Sequence, residues 1–197
     1  MKLVLASTSP RRRSLLRRLG LGFRVAAPAV DETARPGEDP ATHVRRLALA
    51  KARQVARRSP DAVVLGADTV VAVDGRILGK PGDAREAVRM LSLLAGRTHE
   101  VLTGVALVAA DRRRERSAVV RTRVTMRRLE AVEIRRYVAG GEPLDKAGAY
   151  AVQGEARSFV ELVEGSLTNV IGLPLERLAR MLAAFDAPGP PPGRRHP

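Results

Sequence analysis

Apolar residues fill Leu3–Ala6 and stop at Ser7-Thr8-Ser9-Pro10, which predicts a buried strand over 2–6 and a helix opened by Pro10. Leu15, Leu16 and Leu19 give that helix one apolar stripe, and Gly20 ends it. Phe23–Ala27 is a candidate second strand, and Ala29–Pro40, rich in Pro, Gly and acids, is a loop. Residues 41–58 carry a helical pattern through Val44, Leu47, Ala48, Lys51 and Val55. Ala62–Val73 is almost continuously apolar, the signature of a central strand covered on both faces. Asp74-Gly75 predicts a tight hairpin turn after it. A helix follows over 83–95, started near Asp83 and ended by Gly96. Two strands, Val101–Ala110 and Arg116–Thr125, are joined by the charged turn Asp111–Glu115. Glu130–Ala139 reads as a helix, 147–163 as short strands and turns, and Pro174–Phe185 as a final helix. Strands and helices interleave throughout, so the fold class is α/β with a mixed twisted sheet and flanking helices. Residues 188–197, mostly Pro and Gly, read as a disordered tail.

Composition narrows the chemistry. The chain has 197 residues and no cysteine, which excludes thiolate nucleophiles, disulfides and Cys-rich metal sites. No apolar run reaches the ~20 residues that span a bilayer, and the short apolar start is no secretory signal, so a cytoplasmic protein without membrane contact is expected. The net charge of +14 rests on 31 Arg and only 4 Lys. Such a charge attracts polyanions: nucleic acid, membrane surfaces or phosphorylated metabolites. Aromatic residues are 3% and scattered, too few for a base-stacking surface, and no nucleic-acid motif is present. Nucleic acid is therefore not the expected partner. Lys51, Lys80 and Lys146 stand out against the arginines, because a retained lysine can mark a need for a compact point charge.

Five segments carry candidate chemistry. Ser7-Thr8-Ser9-Pro10-Arg11-Arg12-Arg13 places hydroxyls, free amides and cations at a helix N-terminus, where three arginines oppose the helix dipole unless an anion is bound. An ordinary hydroxyl cap with a solvated basic turn is the alternative. Asp68 interrupts the strongest apolar strand, near its expected C-terminal end, and a buried acid must be paired, hydrogen-bonded or metal-bound. It is a candidate general base or divalent-metal ligand. Asp31-Glu32 offers a second carboxylate source in a loop. Gly79-Lys80-Pro81 is not a P-loop, since three residues separate Gly75 from Gly79 and Pro81 follows the lysine, but Lys80 can still meet a phosphate. Glu142–Gly154 is rich in small residues and carries Gln153, whose amide suits a base edge. His43, His99 and His196 form no cluster in sequence.

In order, these segments resemble the Maf family of nucleotide pyrophosphatases. The likeness runs from Leu3 to about Leu178 through Leu5–Arg13, Asp31-Glu32, Lys51-Ala52, Gly66-Ala67-Asp68-Thr69-Val70-Val71, Leu78–Pro81, Thr98–Val105, Glu142–Gly154 and Gly165–Leu175. It implies one α/β domain over 1–187 with two lobes around a central cleft, related to inosine triphosphate pyrophosphatases. It implies hydrolysis of a nucleoside triphosphate between the α and β phosphates, with a divalent metal cation (Mg or Mn) as cofactor. The family's catalytic acid falls on Asp68, its phosphate-contacting residues on Ser7, Arg11 and Arg12, and its polar pocket residues on Glu32, Lys51 and Lys80. Glu32 and Asp68 both stand as metal ligands. In the branch resembling dTTP/UTP pyrophosphatases, substrate choice goes with the positions of Arg11, Thr69 and Gln153. The sister branch acting on 7-methyl-GTP has a Gln after the acid, a Cys-Ala-Gly and a Glu-Gly, and this chain departs from it at all three. The expected substrates are thus dTTP and UTP. The same reaction on 7-methyl-GTP or a modified nucleotide, or a nucleic-acid-associated role in cell division, are the alternatives. The resemblance also allows a homodimer.

Overall fold

The computed structural model describes residues 2–111 and 114–186, so the tail at 188–197 and two residues of the arginine turn lie outside the described residues. Seven strands form one mixed sheet: β1 (Leu3–Ala6), β2 (Arg24–Val25), β3 (Val63–Val73), β4 (Arg76–Leu78), β5 (Thr98–Ala109), β6 (Arg114–Met126) and β7 (Val160–Glu164). The order is β2-β1-β3-β5-β6-β7, with β4 paired to β3. β1 runs parallel to β2 and β3, whereas β4 and β5 run antiparallel to β3. The expected mixed α/β sheet is therefore present. Asp74 and Gly75 both take left-handed backbone at φ 50° and 74°, as the tight β3–β4 hairpin requires.

The alternation along β3 sorts its side chains to two faces. Val64, Gly66, Asp68, Val70 and Ala72 face the long helix α2 (Pro40–Ala56), with Val44, Leu47, Ala48 and Val55 buried against the sheet. Val63, Leu65, Ala67, Val71 and Val73 face the opposite layer, built from α1 (Pro10–Arg17), α3 (Ala84–Leu94), α4 (Ala131–Ala139), α5 (Leu167–Ile171) and α6 (Leu175–Asp186). On that layer the core splits in two. One cluster joins β1, α1 and α6 through Leu5, Leu16, Leu65, Leu178 and Phe185. The other joins α3 and α4 to the far ends of β3, β5 and β6 through Val71, Leu91, Val101, Met126 and Ile134.

The helix–sheet approach on the α2 side depends on two glycines. A Cβ on Gly66 would sit 2.2 Å from the Ala48 carbonyl oxygen, and one on Gly104 would sit 2.2 Å from that of Val44. No other residue type fits such an approach without moving the helix.

Three readings of the sequence need correction. β5 and β6 form a longer hairpin than expected, pairing Thr98 with Thr125 and Ala109 with Arg114, because arginines on the open face of β6 do not break its ladder. Residues 147–163 hold 3-10 turns at Ala147–Ala149 and Glu155–Phe159 and one strand rather than several, since Gly148 and Ala149 take positive φ. Asp68 lies mid-strand, not near the C-terminal end, because β5 pairs with β3 as far as Ala72.

Candidate active site

The opening in the sheet comes from an interruption along one edge of β3. β1 pairs with Val63–Gly66 and β4 with Val71–Val73. Between them, Ala67–Val70 have no neighbouring strand on that edge among the described residues. A cleft of about 640 Å³ occupies the gap, and side chains from both faces of the sheet reach it. Asp68 enters from the α2 face and Thr69 from the other, although they are consecutive in the chain.

On the α2 face Lys51 organises two carboxylates. Its Nζ donates to Asp68 Oδ1 at 2.6 Å and lies 2.7 Å from Glu32 Oε1. Lys51 is 4% and Asp68 6% exposed, while Glu32 reaches in from the exposed loop. Burial opposes ionisation of Glu32, but the hydrogen bond and charge of Lys51, with Lys80 and Arg12 nearby, hold its carboxyl below the usual range. Nearby, half-buried Glu38 accepts from Arg46 and contacts His43 Nδ1 at 2.9 Å, which fixes the loop that carries Glu32 to the first turns of α2. The Arg46 hydrogen bond leads the causes that drive the Glu38 carboxyl far below its usual range, against the penalty of burial.

On the opposite face the N-terminus of α1 meets β3. Ser9 caps the helix by accepting from the Arg12 amide at 3.4 Å, and buried Ser7 accepts from the Ser9 amide at 3.2 Å. The Arg12 guanidinium spends three N–H groups on the protein: Nε to the Gly172 carbonyl at 3.0 Å, Nη1 to Ser7 Oγ at 3.4 Å and Nη2 to Thr69 Oγ1 at 3.1 Å. Two of its five N–H groups remain for a ligand. Burial draws the Arg12 guanidinium below its ordinary value, while Asp68 and Glu32 act to raise it. Arg11 points to the rim, where Nη1 donates to Asp145 Oδ2 at 3.3 Å.

The third wall comes from residues 145–153. The Gly148 amide donates to the Gly79 carbonyl at 3.0 Å, which ties this wall to the turn carrying Lys80. Gly148 has φ 67° and a Cβ there would lie 2.8 Å from Val71 Cγ2, so the motif's glycine is required twice over. Tyr150 is anchored from behind by His99, with Nε2 and the hydroxyl 2.7 Å apart. Burial lowers the His99 imidazole to about 4 and raises the Tyr150 phenol, so both are neutral at pH 7. Gly154 packs against the Glu142 carboxylate, which also accepts from the Glu155 amide and the Tyr137 hydroxyl, and this seats Gln153 at the exposed rim.

All nine residues singled out from the sequence line this one cleft: Ser7, Arg11, Arg12, Glu32, Lys51, Asp68, Thr69, Lys80 and Gln153. Within it the Lys51 ammonium meets two carboxylates, those of Glu32 and Asp68. Sequence reasoning missed Thr103, Asn169 and Asp145. Thr103 lies opposite Thr69 in the β3–β5 register, a signal visible only once the strands are paired.

A family model described as Maf-like protein matches residues 2–185. The chain belongs to the Maf family. Among its Maf relatives, a protein of Pelotomaculum thermopropionicum named dTTP/UTP pyrophosphatase is 54% identical over 184 residues, covering 93% of this chain and 96% of its own. One of Myxococcus xanthus with the same name is 53% identical over 188 residues, covering 95% and 94%. The Ham1 protein of Staphylococcus aureus shares the fold of this Maf chain, with a TM-score of 0.54 at 13% identity over 94% of this chain and 97% of that one. Among the described residues, no helix is long and apolar enough to cross a membrane.

Proposed function

We propose that this Maf protein hydrolyses dTTP and UTP between the α and β phosphates, releasing the nucleoside monophosphate and pyrophosphate. The observation that carries the reading is the cleft itself: one buried carboxylate, Asp68, held by Lys51 and facing arginine and lysine donors across a space of nucleotide size. The names of the relatives supply the substrates.

Chemically, the residues divide into a cationic side and an acidic side. Arg11, Arg12, Lys80, Ser7 and the first-turn amides of α1 bind the phosphate chain and favour the charge that develops on it. Lys51 holds Asp68 in place through Oδ1, leaving Oδ2 to accept the proton of the attacking water. The water oxygen bonds to the α phosphorus, the bond to the bridging oxygen breaks, and that oxygen leaves with pyrophosphate. Glu32 and Asp68 form an all-oxygen pair converging on Lys51, a donor set that suits a hard cation completed by phosphate oxygens. These two would hold Mg or Mn, which when bound neutralises phosphate charge. Nothing in this donor set favours a softer metal. Thr69 and Gln153 face the base. The described residues act as one domain of two lobes, supported by the two apolar clusters that meet at the cleft.

The test is a panel of nucleoside triphosphates, 7-methyl-GTP included, incubated with Mg²⁺ while pyrophosphate is measured. Turnover of dTTP and UTP above the others is expected, lost on chelation of the metal and reduced at least ~100-fold in Asp68→Asn. Preference for 7-methyl-GTP, or no release from any nucleotide, would overturn the reading.

A further inference from the structure

Thr103 is fully buried in β5, directly opposite Thr69. The two hydroxyl oxygens are 2.9 Å apart. Thr69 Oγ1 also accepts from Arg12 Nη2 at 3.1 Å, and Thr103 Oγ1 lies 3.2 Å from the Asn169 carbonyl oxygen. Each hydroxyl has one proton, so the direction of this chain can be worked out. In one arrangement Thr69 donates to Thr103, and Thr103 donates to the Asn169 carbonyl, using contacts of 2.9 and 3.2 Å. In the reverse arrangement Thr103 donates to Thr69, whose own proton is left with the Gly172 carbonyl at 3.5 Å, the limit of a hydrogen bond. Each of these two carbonyls already accepts one N–H at 3.0 Å, that of Gly172 from Arg12 Nε and that of Asn169 from the Gly172 amide, so the shorter hydroxyl contact decides. The first arrangement makes the better bonds. Its far end is fixed, because buried Asn169 is held by Nδ2 donating to Val101 O and Thr122 Oγ1, each at 3.0 Å.

We propose that Thr103 is a positioning residue for substrate selectivity: by taking the Thr69 proton it leaves Thr69 only a lone pair to offer the cleft, and so selects a base that presents an N–H. Uracil and thymine carry that donor at N3, whereas cytosine has a lone pair there. A hydroxyl polarised this way also repels phosphate oxygen, so Thr69 serves the base end of the cleft and not the phosphate end. The inference rests on the pyrophosphatase reading and adds to it the reason for the base preference. A site whose hydrogen-bonding groups are fixed in one direction rejects a base of opposite polarity strongly, since a lone pair then faces a lone pair.

The experiment measures kcat/KM for UTP, dTTP and CTP with Mg²⁺ in the wild type, Thr103→Val and Thr103→Ser. Valine removes the acceptor, so the Thr69 proton keeps only the 3.5 Å contact with the Gly172 carbonyl and is free to turn toward a lone pair in the cleft. The UTP-over-CTP ratio then falls at least ~10-fold, with UTP losing and CTP gaining, while serine keeps the ratio within ~3-fold. Wild-type enzyme should also use N3-methyl-UTP at least ~10-fold less well than UTP, a comparison that stands even if the valine variant does not fold. An unchanged ratio in folded Thr103→Val, or N3-methyl-UTP used as well as UTP, overturns this proposal alone. No pyrophosphate release from any nucleotide by the wild type overturns the pyrophosphatase reading, and this inference with it.

Discussion

Lys51 stands between two acids, and its removal should be felt twice. In Lys51→Met the carboxylate of Asp68, 8% exposed at its side chain, loses its partner, which costs about 3–5 kcal/mol in stability when a buried pair is broken from one side. Pyrophosphate release should fall at least ~100-fold, because the base is no longer held in place. Denaturant unfolding and the release assay check the two parts separately. His99 makes a prediction about pH. Its folded value is about 4 against 6.5 when exposed in the unfolded chain, so the unfolded chain binds a proton that the native chain does not. Stability is then complete above about pH 6.5 and declines as pH falls toward about 4, by roughly 3 kcal/mol for this one group. Comparing denaturation at pH 7 and 4.5 in the wild type and His99→Gln should show a smaller loss in the variant. Of these residues, Asp68 was legible in the sequence, since an acid inside an apolar strand calls for a partner. That the partner is Lys51, a residue on a helix 17 positions earlier, was not, because α2 and β3 have to pack before the two meet.

At the level of elements, the site depends on how closely α2 approaches β3. Gly66→Ala would push against the Ala48 carbonyl, with no flexible side chain to yield. It should cost about 1–3 kcal/mol, or a few degrees in Tm for a chain of this size, and it should reduce activity as α2 carries Lys51 away from Asp68. Thermal unfolding and the release assay together would detect both effects. An equal substitution at Gly22, where a Cβ meets nothing within 4 Å, should leave both unchanged. The strands and helices of this layer were legible from the periodicity of residues 41–73. The short helix Leu167–Ile171 was not, since five residues cannot display a helical period. Nor was the full length of β6, whose outward arginines look like a turn in sequence and like a solvated sheet face in the structure.

For the molecule as a whole, a charge of +14 has to be divided between function and surface. The cleft uses Arg11, Arg12, Lys51 and Lys80, while Arg53 pairs with Glu115 and Arg97 with Asp74 at the surface. Raising ionic strength should therefore increase KM for UTP several-fold through screening of the phosphate donors, with kcat little changed, in steady-state assays from low to high salt. What the sequence determined by itself was local: which segments are strand or helix, where acids, cations and hydroxyls stand relative to them, and, through the order of its motifs, the family. Those properties follow from the side-chain period and from residue chemistry, and neither needs a distant partner. The tertiary structure alone decided that Asp68 and Thr69, on opposite faces of one strand, open into the same cleft, because that depends on where β1 stops and β4 begins along β3. It also decided the direction of the Thr69 hydroxyl. That direction is set by Thr103 and Asn169, which strand register and helix packing bring together from segments 66 residues apart.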